Sequence, residues 1–125
     1  IEVLSSGGAL EVFLVTGPAE SGPPPHAHPW QEAYLGVIGQ VEVTIGDAVT
    51  VLDPGDFASA PAEATHSYRI LSETASFHVI TSGHRASAFF ADLDAHVAPA
   101  PVTPDSLPTL VEVARRNGLR SPLFA

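Results

Sequence analysis

The chain contains no cysteine, no methionine and no lysine in its 125 residues. Without cysteine there is no disulfide, no thiolate zinc site and no thiol nucleophile, and the redox compartment cannot be read from cysteine usage. Without lysine, the positive charge rests on 5 arginines against 14 carboxylates, a net charge of −9. Phosphate-backbone binding depends on Lys and Arg, so nucleic acid is not an expected partner. An anionic substrate would also approach against the overall field, although a metal ion can reverse the sign locally. No apolar run reaches the roughly 20 residues that span a bilayer, so no membrane partner is expected. There is no recognisable signal segment, and a cytoplasmic location is the default expectation. A chain that opens on Ile1 and holds no methionine is also expected to lack its natural N-terminus. The length suits one domain with one core.

What is present is a series of short apolar stretches cut by turn residues. Residues 9–16 alternate around Leu10, Val12 and Leu14 and stop at Gly17-Pro18, which predicts a strand and a turn. Residues 31–37 and 41–45 form the clearest strand pair, around Ile38-Gly39-Gln40, with Val41, Val43 and Ile45 on one face. Strands over 48–52, 57–61, 66–71 and 75–81 follow at regular spacing, which predicts a sandwich or barrel. Beyond Gly83 the period changes. Phe89, Phe90, Leu93 and Val97 recur at helical intervals and predict a short helix over 86–97. Residues 98–104 read as a proline-rich linker. Ser106 is placed to cap a second helix whose Leu107, Leu110, Val111 and Ala114 share one face, with Arg115 and Arg116 in the last turn and Asn117-Gly118 after it. The expected organisation is a barrel with a trailing helix over 1–97. A linker and C-terminal helix over 98–125 would pack on the barrel or on a partner subunit.

The chemistry-bearing residues are His26-Ala27-His28, then Glu32, then His66. On an extended strand an H-x-H pair places both imidazoles on one face. Three successive prolines hold the approach to His26 extended, and Pro29 predicts a kink before Trp30. Glu32 can still swing in beside the histidines, and His66 shares parity with Tyr68 and Ile70 on the expected core face. Alone, the H-x-H pair is equally two loop histidines; joined by Glu32 and His66 it reads as a metal site. Three nitrogens and one carboxylate suit Fe, Mn, Co, Ni, Cu or Zn better than Ca or Mg. The set does not choose among these divalent transition metals.

Around it, Tyr34 and Tyr68 share parity with Glu32 and His66 and either line a pocket or pack as core tyrosines. Trp30 is expected to stack on a flat substrate, cover the barrel mouth or sit at a dimer contact. His78 reads as an ordinary strand residue, His84 and His96 as surface, and Glu2, Glu11 and Glu42 as solvated strand faces.

These residues carry a family resemblance. The chain resembles the cupin superfamily, whose first motif runs H-x-H, three or four residues, Glu, six residues, Gly; His26, His28, Glu32 and Gly39 fit at every spacing. In its second motif Gly55, Pro61 and His66 fit, while Glu63 and Ile70 stand in place of a glycine and an asparagine. The leading glycine of the first motif falls at Glu20. The resemblance covers about Leu10 to Thr81 and implies an all-β, jelly-roll-like double-stranded β-helix barrel with a central metal. It also implies a homodimer.

The run from Gly22 to Tyr34, and the helix end at 114–119, are similar to single-domain bacterial proteins of the quercetin 2,3-dioxygenase type. That similarity implies a metal-dependent dioxygenase acting on a small phenolic or enolisable substrate, with Glu32 as the catalytic base. The same site also serves non-oxidative lyases, isomerases or cyclases, and a module that only binds a small molecule.

Overall fold

A computed structural model describes residues 1–97 and 103–122. The proline-rich linker expected over 98–104 thus lies largely outside the described residues. The elements are β1 (Glu2–Ser5), β2 (Leu10–Pro18), β3 (Glu32–Ile38), β4 (Val41–Ile45), β5 (Ala48–Leu52), β6 (Phe57–Ala60), β7 (His66–Ile70), β8 (Thr74–Ser82), α1 (Arg85–His96) and α2 (Leu107–Arg116).

The strands form a five-stranded sheet in the order β1-β2-β8-β3-β6 and a three-stranded sheet in the order β5-β4-β7. Every pairing is antiparallel. This is the expected double-stranded β-helix, followed by a short C-terminal helical part. Among the described residues no helix is long and apolar enough to cross a membrane.

The inward faces follow the period-two pattern. Val41 and Val43 of β4 share one buried core cluster with Ala75, Phe77 and Val79 of β8, and Tyr34 of β3 is fully buried in it. Gly39 closes the β3–β4 turn at φ 76°, where a Cβ would lie 2.4 Å from both Ser72 Oγ and Thr74 O. Only glycine fits there.

Three sequence expectations are corrected. On β2 Glu11 is expected on a solvated face, which would leave Leu10, Val12 and Leu14 on the inner one. The structure instead buries Glu11, Phe13 and Val15, and Leu10 is 59% exposed. Phe13 decides the facing, because its ring meets Phe90 of α1 edge-on at 5.2 Å. The strand also runs through Gly17 and Pro18, which pair with Ala75 and Thr74, so the turn begins at Ala19. Finally, Ser106 makes no side-chain cap bond to its helix. The entry to α2 is closed one turn earlier: the Thr103 N–H donates to Ser106 Oγ at 2.9 Å and the Ser106 N–H to Thr103 Oγ1 at 3.2 Å. That is a reciprocal pair of bonds in the turn before the helix, and Pro108 stands at the second helical position, where its missing N–H costs nothing.

Glu11, expected on a solvated face, is completely buried. Its carboxylate accepts the Ser87 N–H at 3.0 Å, the Ser87 hydroxyl at 2.5 Å and the Gly7 N–H at 3.3 Å. Ser87 lies in the first turn of α1, so a strand residue supplies the acceptor that the orphan N–H groups of a helix start require. Burial alone would raise the Glu11 carboxyl. The bonds from Ser87 and Gly7, with His84 nearby, outweigh it and hold the group below its ordinary range.

Candidate metal centre

His26 and His66 are directly paired: each N–H donates to the other's carbonyl, at 3.0 and 2.8 Å. That exchange places two residues 40 positions apart side by side, with ring centroids 4.4 Å apart. His28, two residues on, falls on the same face, and its ring centroid lies 4.6 Å from that of His66. After it the chain bends at Pro29-Trp30, as the proline predicts, and β3 begins at Glu32. The bend returns Glu32 to the cluster, its Oε2 3.1 Å from His66 Nε2 and its Oε1 3.6 Å from His28 Nε2.

All three imidazoles are oriented in the same way. Nδ1 of His26 lies 2.8 Å from Pro24 O, Nδ1 of His28 3.0 Å from Trp30 O, and Nδ1 of His66 2.9 Å from Ala64 O. A carbonyl only accepts, so in each neutral ring Nδ1 carries the hydrogen and Nε2 the lone pair. The ligand atoms of the three histidines all lie within 4.8 Å of one another. His66 Nε2 is buried and makes no hydrogen bond, although Glu32 Oε2 is within reach. Lone pair faces carboxylate, and neither can satisfy the other. An acceptor-only cluster of three nitrogens beside a carboxylate is the environment a divalent transition ion fits, with the backbone carbonyls fixing the tautomers from behind.

Burial and the neighbouring charges act on these groups in opposite directions. Burial pulls His26 down, and the positive character of its histidine neighbours adds to the effect. For His66, burial also acts downward, but the Glu32 carboxylate and the Ala64 carbonyl reverse the sign and raise it. Burial pushes Glu32 upward, yet the adjacent His28 and His66 imidazoles and the bond from the Tyr34 hydroxyl hold it well below the usual carboxylate range. Tyr34 is driven far above the ordinary tyrosine value by burial and by the adjacent Glu32, which accepts its hydroxyl in a short hydrogen bond. Tyr68 is raised for the same two reasons. Both tyrosines therefore remain protonated at any working pH.

His26, Glu32, Tyr34 and Tyr68 open onto a cavity of about 300 Å³ whose remaining walls are apolar apart from Ser121. Phe13 and Val15 come from β2, and Phe89, Phe90, Leu93 and Leu110 from the two helices. Trp30 does not line this cavity. It is buried behind the centre, stacked on His28 with centroids 4.0 Å apart and planes at 10°, and Arg85 lies 5.9 Å above its ring. It therefore supports a histidine from behind, where stacking on a substrate had been one expectation. His84 and His96 are exposed, as expected.

One support gave no signal in the sequence. Helix α2 ends in a Schellman turn, Leu119 N–H to Ala114 O at 2.9 Å and Gly118 N–H to Arg115 O at 3.0 Å, with Gly118 at φ 86°. The chain then runs antiparallel to the histidine segment. Ala27 and Arg120 exchange both backbone bonds, at 2.8 and 2.9 Å, and the Ser121 hydroxyl donates to Pro25 O at 2.8 Å. Arg120 also pairs with Glu63, whose N–H donates to His28 O at 2.8 Å. Glu63 and Glu20, which replace glycines of the motifs, both keep the left-handed backbone, at φ 71° and 68°.

Comparison with known proteins supports the fold. Among solved structures, TT1209 from Thermus thermophilus is 26% identical with a TM-score of 0.62, over 66% of this chain and 81% of that one. KdgF from Halomonas sp. is 22% identical with a TM-score of 0.65, over 70% and 80% of the two chains, a likeness of fold alone. The DMSP lyase DddQ from Ruegeria pomeroyi is 25% identical with a TM-score of 0.55, over 78% of this chain and 44% of that one. No curated protein matches. The cupin domain family matches residues 12–82, more than half of the sequence, and this chain belongs to the cupin family.

Proposed function

We propose that His26, His28, His66 and Glu32 hold one divalent transition metal, and that the centre is a metal-dependent dioxygenase of the quercetinase type acting on a small phenolic or enolisable substrate. The observation that carries this reading is the convergence of three tautomer-fixed imidazoles, their ligand atoms within 4.8 Å of one another and two of them facing the half-buried Glu32 carboxylate, beside a largely apolar cavity. When bound, the metal would supply a Lewis acid that makes a substrate hydroxyl acidic and holds the resulting oxyanion.

The remaining work falls to the chain. Glu32 accepts the substrate proton, because it is the one carboxylate lining the cavity and stays ionised. Tyr34 fixes the carboxylate from within the core through its hydroxyl. The aromatic and aliphatic walls exclude water, so that the electron-rich substrate anion meets dioxygen and not a competing proton source.

A second reading is favoured by the identity with a DMSP lyase: proton removal by Glu32 followed by elimination or isomerisation, without oxygen.

Metal analysis of the protein purified without added metal, and of His66→Ala, tests the site. About one Fe, Ni, Mn, Co, Cu or Zn per chain, lost in the variant, is expected. Flavonol turnover with and without dioxygen then separates the two readings. A Glu32→Gln protein that keeps both metal and turnover would remove Glu32 from the base role.

A further inference from the structure

We infer that the cavity accepts only a substrate with an uncharged apolar body and a single ionisable oxygen at its Glu32 end, and that the two helices set this selectivity; the inference rests on the site reading given above. Of the polar groups of the cavity, His26, Glu32, Tyr34 and Tyr68 belong to one cluster: Tyr34 bonds Glu32, and the two tyrosine rings lie 6.5 Å apart; the fifth, Ser121, spends its hydroxyl hydrogen on Pro25 O. The wall from α1 and α2, formed by Phe89, Phe90, Leu93 and Leu110, has no polar side chain, and it lies outside the segment shared with the family.

The distribution of cations completes the case. The chain has no lysine, and all five arginines are among the described residues. Arg69 lies outside with Glu20 and Glu42, at 3.0 and 3.5 Å. Arg85 covers Trp30, and Arg116 holds Asp92 at 2.8 Å. Arg120 pairs with Glu63, and both it and Arg115 border a different cleft. None lines the cavity. A carboxylate, phosphate or sulfonate on the body of a ligand would be stripped of water with no counter-ion, in the field of a fixed glutamate. A flat aromatic body would instead extend the edge-on Phe13–Phe90 contact.

The test is a matched pair of probes, 4-propylphenol and 3-(4-hydroxyphenyl)propanoate, which share a phenol head and differ in tail charge. Both are titrated calorimetrically near neutral pH into metal-loaded and metal-free protein. The neutral probe is expected to bind roughly tenfold or more tightly than the acid in both forms. Leu93→Arg, or Leu110→Arg on the other helix, should narrow that ratio by bringing a counter-ion to the wall. Equal binding, preference for the acid, or no binding of 4-propylphenol in either form would overturn the inference. Failure of the metal reading looks different: no metal is retained and the two preparations behave alike, while the preference between the probes persists.

Discussion

Removing the Glu11 carboxylate should detach the start of α1 and cost far more than a change on a strand face. In Glu11→Ala the Ser87 N–H, the Ser87 hydroxyl and the Gly7 N–H all lose their acceptor, at partly buried positions. Hydrogen bonds to a charged group contribute about 1.5–3 kcal/mol each in net terms, and loss of a helix cap about 1 kcal/mol. The three bonds share one carboxylate and are not additive, so a loss of about 3 kcal/mol is expected. With a urea slope of about 1–3 kcal/mol/M, the midpoint should fall by about 1–3 M.

The pH dependence has a definite sign. Because the folded carboxyl lies below its ordinary value of 4.5, its contribution is complete above that pH and is lost as pH falls through the lower folded value. Wild type and Glu11→Ala should therefore converge in stability on acidification. Urea unfolding of Glu11→Ala, Ser87→Ala and the double variant, at neutral and acid pH, measures this directly. A loss below about 0.5 kcal/mol, or a coupling energy near zero between Glu11 and Ser87, would refute the assignment of Glu11 as the trans-acting cap.

Other outcomes are open to direct measurement. The single tryptophan stacks on His28, so Co²⁺, Ni²⁺ or Cu²⁺ should quench its emission with saturation near one equivalent, and His66→Ala should abolish the response; emission unchanged through that point counts against the centre. Arg120→Pro removes the N–H that donates to Ala27 O, and metal affinity measured by chelator competition should fall about tenfold or more; unchanged affinity would show that the strap does not brace the ligands. Glu63→Gly relieves a left-handed backbone that costs a side-chain-bearing residue about 1 kcal/mol, and the lost exposed pair with Arg120 offsets little of it. The variant should unfold at a higher temperature, and a lower one would contradict that backbone assignment.

The clustering of His26, His28, Glu32 and His66 was legible from strand geometry together with the spacing of the family motif. The spacing of His26, His28 and Glu32 needs only period two and one proline bend, and His66 announces itself at the start of a strand. Glu11 was not legible: its partner Ser87 lies 76 positions away, and the alternation of Leu10, Val12 and Leu14 looks like a core face until Phe13 finds Phe90. Likewise Leu119 to Ser121 has no periodicity, since it acts through backbone bonds that any residue except proline can make. The left-handed backbone at Glu20 and Glu63 shows the converse. Pairing around a turn, Glu20 N–H to Ile70 O and Glu63 N–H to His28 O, holds a conformation that the side chain alone disfavours.

The antiparallel exchange between Ala27 and Arg120 also imposes an order of assembly. Residues 26–28 leave the ribosome more than ninety positions ahead of the segment that pins them. Until that segment arrives, the H-x-H stretch can pair with His66 but has an open side. A nascent chain can therefore close its barrel before its histidine cluster is rigid, and the ion proposed for that cluster would load tightly only late in maturation, gated by a segment that contributes no ligand.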